Sequence, residues 1–405
     1  MNQQVAAVPS HVDPSRVHFY DIQRDKLFGE DPYNAGFINM RDKVPGVFWT
    51  PANGGHWVVQ DPQVMDKVLR TPEFFSNKQT SIPAREDAPR MIPESLDPPE
   101  HLLYRGLMMT YFEPKSINKL EGAVRERAET MIRGMRDRGT CEFVEEVAGP
   151  LPIKVFMQFA GFPLERYDDF RALVTRFFGT ASEGMTEEDG RSLGAAILTE
   201  VAGIITAKQA DPSADDMLSF LIKADFQGRK LQMDELMSIV YLLFIAGLDT
   251  VTNAMSFGVA HMARHPEFQQ ELRDNPSKIP AAVDELLRRY TFTHTPRLVV
   301  KEVEIGGVTM KAGDMIWNML PMYGLNEALN PDPLEVKLDR PSRVHGAFST
   351  GGHICLGRHL AKMELRLLYE VMLRELPMWS IDNSKPEGKI RGGVIMAMPH
   401  LWLRW

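Results

Sequence analysis

The chain has 405 residues, with 46 basic and 54 acidic side chains giving a net charge of −8, and 44% hydrophobic against 25% charged residues. Those are the proportions of an ordinary globular protein; they exclude a disordered chain, a collagen-like repeat and a basic nucleic-acid binder. The two cysteines, Cys141 and Cys355, lie far apart in sequence, which excludes a disulfide scaffold and favours a reducing cytoplasm.

Residues 1–20 are polar and proline-containing with no apolar core, so neither a signal peptide nor a membrane anchor is expected there. Residues 46–50 and 56–60 read as a pair of strands. Asp97-Pro98-Pro99 reads as a helix start: an acidic N-cap, then prolines whose missing N–H costs nothing in the first turn. Helical periodicity follows over 115–136, 164–178, 187–208 and 215–224. The longest helix is expected over 234–264. Its charge-free apolar run, Leu236 to Leu248, is shorter than the about 20 residues a membrane span needs, so it reads as a buried core helix. Helices over 266–273 and 280–290 come next, then short strands at 297–300, 303–305 and 315–317. The stretch 325–350 is irregular and proline-bearing, 356–376 is a last helix, and 392–405 reads as strands. The pattern predicts one mainly α domain over residues 1–405, a large helical body with small β-sheets near both ends of the chain.

No G-x-G-x-x-G, Walker G-K-[ST] or H-E-x-x-H pattern occurs. Gly190-Arg191-Ser192-Leu193-Gly194 spells a nucleophile elbow, but it follows Glu187, Glu188 and Asp189 in a helical, solvent-facing pattern and lacks the strand that motif needs. The informative segment is Phe348-Ser349-Thr350-Gly351-Gly352-His353-Ile354-Cys355-Leu356-Gly357. Here a cysteine sits in a glycine-punctuated loop just before a helix, where N-terminal N–H groups stabilise a thiolate and lower its pKa. Flanking glycines let backbone approach something flat and bulky. Such a thiolate is a candidate single axial ligand for a haem iron; the plain alternative is a buried, inert cysteine.

The segment resembles the haem-binding loop of the cytochrome P-450 superfamily, F-x-x-G-x-x-x-C-x-G, a pattern expected by chance roughly once in 2,000 chains of this composition. Three further features occur in the family's order. Ala246-Gly247-Leu248-Asp249-Thr250, in the middle of the long helix, is similar to the oxygen-activating motif. The resemblance implies proton delivery by Asp249 and Thr250 as the catalytic pair. Thr250 can also bond the Ala246 carbonyl and widen the helix locally. Glu285-Leu286-Leu287-Arg288 matches E-x-x-R, which the resemblance makes a buried structural pair joined by Arg340. His101, Arg105, Arg297 and His353 fall where the family holds the two haem propionates. The cofactor implied is haem b, iron protoporphyrin IX, with Cys355 as its metal ligand and Phe348, Gly351 and Gly357 shaping the loop.

Within the superfamily the chain is most similar to the soluble bacterial camphor monooxygenase family, through Ile92 to Glu100, Gly247 to Val251 and Asp284 to Tyr290. Two departures stand out. Residues 86–91 contain no tyrosine to hydrogen-bond a ketone, with Pro89 at or next to its place, and Thr295 replaces an acid. The resemblance implies substrate walls at Met91, Leu242, Ile245 and Thr293, with Ala246 and Thr250 facing the iron. It also implies O₂ as co-substrate, a small apolar terpenoid as substrate, and electrons from a [2Fe–2S] ferredoxin fed by a ferredoxin reductase. The ferredoxin would dock near Arg105, Arg358 and Lys362 on a cytoplasmic monomer bound to neither nucleic acid nor membrane. A camphor-type ketone hydroxylase, a peroxide-using haem enzyme and a non-catalytic haem sensor are the alternatives. Dioxygen use is favoured over peroxide by the Asp249–Thr250 pair.

Overall fold

Val47–Thr50 and His56–Val59 pair antiparallel, each strand buried along its whole length. They are described, like the rest of the chain, by a computed structural model covering residues 5–29, 31–179, 187–386 and 388–405. Continuous burial on both faces is why these strands read as unbroken apolar runs. They join the later strands Met315–Asn318, Thr295–Val299 and Phe75–Ser76 in one five-stranded sheet. A second sheet unites Thr140–Glu142 with Trp402–Arg404 and Ser380–Ile381. The β structure is therefore shared between early and late parts of the chain rather than being separate at each end.

Of the strands expected over 392–405, only Trp402–Arg404 forms a strand. The helical body follows the periodicity apart from the added short helix Phe37–Lys43 and four differences that bear on the site. Pro150–Ala160 is a helix that sequence reading misses, because Pro150 and Pro152 look like breakers although proline is tolerated in a first turn. Pro62–Arg70 is likewise unforeseen and is capped by Asp61, whose carboxylate accepts from the Gln63 and Val64 amides. The Asp97 N-cap is corrected. The helix is Glu100–Phe112, and the Asp97 carboxylate instead accepts from the Ser76 hydroxyl and the Asn77 amide, tying the helix approach to the sheet.

The fourth difference lies in the long helix, which is two: Met233–Gly247 and Thr250–Arg264. By length and composition the 32-residue stretch Met233–Arg264 could cross a membrane, yet 56% of its most apolar window is buried inside the protein, as a core helix requires. The break has local causes. A Cβ on Gly247 would lie 2.3 Å from the Phe156 ring, so only glycine lets the Pro150–Ala160 helix pack here. One turn on, the Thr250 hydroxyl bonds the Ala246 carbonyl at 3.1 Å.

The irregular 325–350 stretch is anchored by charge. Glu285 and Arg288, both fully buried, form a two-bond pair at 2.8 and 3.0 Å, and Arg340 Nε reaches Glu285 Oε1 at 3.0 Å. Arg288 also donates to the carbonyls of Gly324, Pro333 and Glu335, and these satisfied donors are what make a buried ion pair tolerable. The triad thus fixes the loop that leads into the cysteine segment.

Candidate active site

The cysteine loop is set by backbone geometry. Gly351 has φ +74°, and a Cβ there would meet the Leu69 carbonyl at 2.4 Å, so no L side chain fits. The Cys355 amide bonds the Phe348 carbonyl at 2.9 Å, and the Arg358–Glu375 helix starts after Gly357. Arg105 donates to the Ile354 carbonyl, joining the Glu100–Phe112 helix to the loop.

The Cys355 side chain is accessible and lines a cavity of about 310 Å³. One wall carries Phe348, His353, Cys355, Gly357 and Leu360; the wall across from the loop carries Leu242, Leu243, Ala246, Gly247, Thr250 and Val251. Thr293 and Phe292 also line it, and Met108 and Phe112 close it from the Glu100–Phe112 helix. Met91 and Ile245 do not line the cavity, against expectation. Ile245 turns into the core one residue from Ala246, and Met91 packs against the core from its loop.

Beside Arg105 and His353 of the cavity wall lie further basic side chains. His101 is fully buried, its ring 4.0 Å from that of His353, and neither of its nitrogens has a hydrogen-bond partner. Burial, with His353 and Arg105 nearby, pushes its pKa down to about 4. Arg297 is buried on its strand, and burial lowers its pKa to about 10. It donates to the Thr295 hydroxyl at 2.8 Å and the Pro296 carbonyl at 2.7 Å, so Thr295 steadies the arginine.

Two residues that sequence reading missed belong here. Glu94 lines the cavity with its carboxylate 3.8 Å from His353 Nδ1. Burial works against its charge, but His353, Arg297 and His101 hold it below the usual range. Glu364 also lines the cavity, with both oxygens buried and unpartnered, and burial drives its pKa well up, so it is a neutral acid. Glu94 stood within the segment carrying the resemblance, but nothing in its spacing marked it.

Asp249 lies beside Thr250 but off the cavity wall. Burial pushes its carboxyl up to about 6, offset by Arg391 and by Asn253, whose amide bonds its Oδ2 at 3.2 Å. Asn253 also accepts from the Met398 amide, so it fixes Asp249 against the C-terminal segment. The i,i+4 spacing of Asp249 and Asn253 was the available signal. For Cys355 the expected low pKa is corrected. Burial is the largest influence and raises it, while the Gly357 amide, Arg358 and Arg105 pull it back. A thiol held protonated by burial becomes a thiolate when a cation binds its sulfur.

These residues fit a haem. Among the described residues no cluster of three or more His, Cys, Asp or Glu could hold a metal ion. Cys355 therefore offers one ligand, and any other coordination must come with the group itself. The apolar walls suit a flat macrocycle, and the unpartnered His101 nitrogens beside two arginines call for acidic acceptors.

A sequence-family profile described as cytochrome P-450 matches residues 153–401. The chain is 27% identical to the "probable cytochrome P-450 127A1" of Sinorhizobium fredii, over 98% of this chain and 97% of that protein. It is 31% identical to a steroid C26-monooxygenase of Mycobacterium tuberculosis, over 86% of this chain and 89% of that protein. The solved structure of CYP101J2 superposes with a TM-score of 0.89 at 30% identity, covering 99% of this chain and 100% of that one. That of CYP101C1 gives 0.88 at 30% identity, covering 98% and 100%.

Proposed function

The chain belongs to the cytochrome P-450 family, a haem-binding monooxygenase, and from that premise we propose that it hydroxylates a small terpenoid with O₂ and electrons from a [2Fe–2S] ferredoxin. One oxygen atom enters a C–H bond and the other leaves as water, with two electrons from the carrier and two protons from solvent. The observation that carries the reading is the single cavity running from Cys355 to Thr250, lined mainly by apolar side chains. Cys355 would hold the iron, and His101, Arg105, Arg297 and His353 the propionates. The bound haem supplies the oxygen chemistry; the protein supplies orientation and proton control.

Leu242, Ala246, Phe292 and Thr293 present an apolar surface that discriminates weakly among similar shapes. This supports a range of monoterpenoids or norisoprenoids such as ionones rather than one camphor-like ketone, for which no tyrosine is present at 86–91. A screen of such ligands for a high-spin shift, followed by product analysis, tests it. Tight, regiospecific camphor binding with no shift from ionones would overturn the substrate assignment.

Asp249 is the acid of the relay, since burial pushes its carboxyl up to about 6 and its neighbour Thr250 lines the cavity. An acid must be protonated to donate, so coupled turnover falls as pH rises above about 6. In Asp249→Asn the rate is lower and this inflection disappears from the pH–rate profile. An unchanged inflection in that variant would assign the proton to another group.

The docking face for the ferredoxin is less basic than the residue types imply. Arg105 is buried against Ile354, and Lys362 is paired with Asp284 at 2.6 Å. Arg358, which donates to the Cys355 carbonyl, and Arg70, which donates to the Thr350 hydroxyl, are the accessible cations bonded to the sulfur loop among the described residues. Steering by so little charge predicts a decrease of only a few-fold in electron-transfer rate from low to high salt, with a similar loss in Arg358→Glu. A rate indifferent to both salt and Arg358→Glu would count against this face.

A further inference from the structure

Glu94 lines the cavity together with the basic Arg105 and His353 and the apolar Leu242, Ala246 and Phe292. Its side chain keeps 38% of its surface accessible although protein encloses it, because that surface opens on the cavity. The ring nitrogen His353 Nδ1, at 3.8 Å, is beyond hydrogen-bond reach. Arg297 does not close on it either, being engaged by Thr295 and Pro296. Among the described residues neither carboxylate oxygen receives a hydrogen bond.

Arg105 and His353 line the cavity beside Glu94, with the buried Arg297 and His101 behind them. Two propionates would draw on the same arginines and histidines, leaving the Glu94 carboxylate with acceptor sites unfilled. An enclosed carboxylate without donors is costly, and a ligand that brings a donor to it removes that cost. The apolar walls at Leu242, Ala246 and Phe292 lie in the same cavity, with Thr250 on the wall across from the cysteine loop.

We propose that Glu94 is the polar anchor of the substrate pocket and selects a terpenoid-sized alcohol, whose hydroxyl donates to the Glu94 carboxylate, over the ketone or hydrocarbon of the same skeleton. The assignment rests on the reading of this cavity as a haem-thiolate monooxygenase pocket and deepens it. An anchored hydroxyl leaves the remote end of the skeleton to meet the Thr250 wall, so the product is a diol with its second oxygen far from the first.

The test is a titration of the holoenzyme with a bicyclic monoterpene alcohol, the matching ketone and the parent hydrocarbon, read by the high-spin shift. The wild-type protein binds the alcohol on the order of tenfold tighter than the ketone. Glu94→Leu abolishes the preference, and Glu94→Gln keeps part of it because the amide oxygen still accepts. Equal affinities in the wild type, or a preference that survives Glu94→Leu, overturn the proposal. So does a Glu94→Leu protein whose haem passes to apomyoglobin at a changed rate with the preference unmoved, since Glu94 would then serve the cofactor. Reduction under CO separates the two readings. A wild-type protein lacking the long-wavelength Soret band overturns the haem-thiolate pocket and the anchor together, whereas the band without the preference overturns the anchor alone.

Discussion

Cys355→Ser is expected to lose the long-wavelength Soret band of the reduced, CO-treated protein and, with it, all measurable hydroxylation, while Cys141→Ala keeps both. The two sulfurs differ in what they face. Cys141 sits in the Thr140–Glu142 strand opposite Leu403, where burial pushes its pKa up to about 12, and it does not line the cavity that Cys355 lines. Cys355 opens on the cavity, and the Gly357 amide, Arg358 and Arg105 all favour its charged form. Serine preserves the loop, because the bonds that hold it run through the Phe348 and Ile354 carbonyls and the Gly351 turn rather than through sulfur. The loss therefore reports ligation and not misfolding. A normal CO band in Cys355→Ser, or its loss in Cys141→Ala, would refute the assignment.

What the sequence made legible has a common character: short motifs whose chemistry is carried by spacing along one element or one turn. The glycine-flanked Cys355 and the i,i+3 pair Glu285–Arg288 are of this kind, and Thr250 bonded to Ala246 follows from helix geometry alone. The placement of Arg340 on Glu285 came from resemblance rather than from spacing. What stayed hidden depends on three-dimensional neighbours. Gly247 reads as a weak helix residue, whereas its reason is the Phe156 ring of a helix far earlier in the chain. Ile245 and Ala246 are adjacent on one helix, yet about 100° of rotation sends one into the core and the other onto the cavity. Met91 failed because a loop carries no period from which to read a side chain's direction. The Cys355 pKa failed because burial outweighs the helix terminus, and burial is a property of the folded whole.

Thr250→Ala is expected to go on consuming reductant and O₂ with substrate bound, but to release hydrogen peroxide in place of hydroxylated product. Stability should change little. Alanine is the better helix former, and the bond from the Thr250 hydroxyl to the Ala246 carbonyl is local. The break after Gly247 is also held by Phe156 and by Asn253, neither of which the substitution touches. What disappears is the hydroxyl on the cavity wall beside Asp249. That hydroxyl can rotate between accepting a proton from the relay and donating it into the cavity, as no methyl can. Positioned proton transfer contributes about 10²–10⁴-fold to a rate, so the fraction of reductant appearing as product should fall on the order of tenfold or more. Thr250→Ser, which keeps the hydroxyl, should retain most of the coupling. Measured together, product, peroxide and reductant consumed give the partition directly. Wild-type coupling in Thr250→Ala would mean that the proton reaches the cavity without this side chain, leaving Asp249 to act through solvent or through another wall residue.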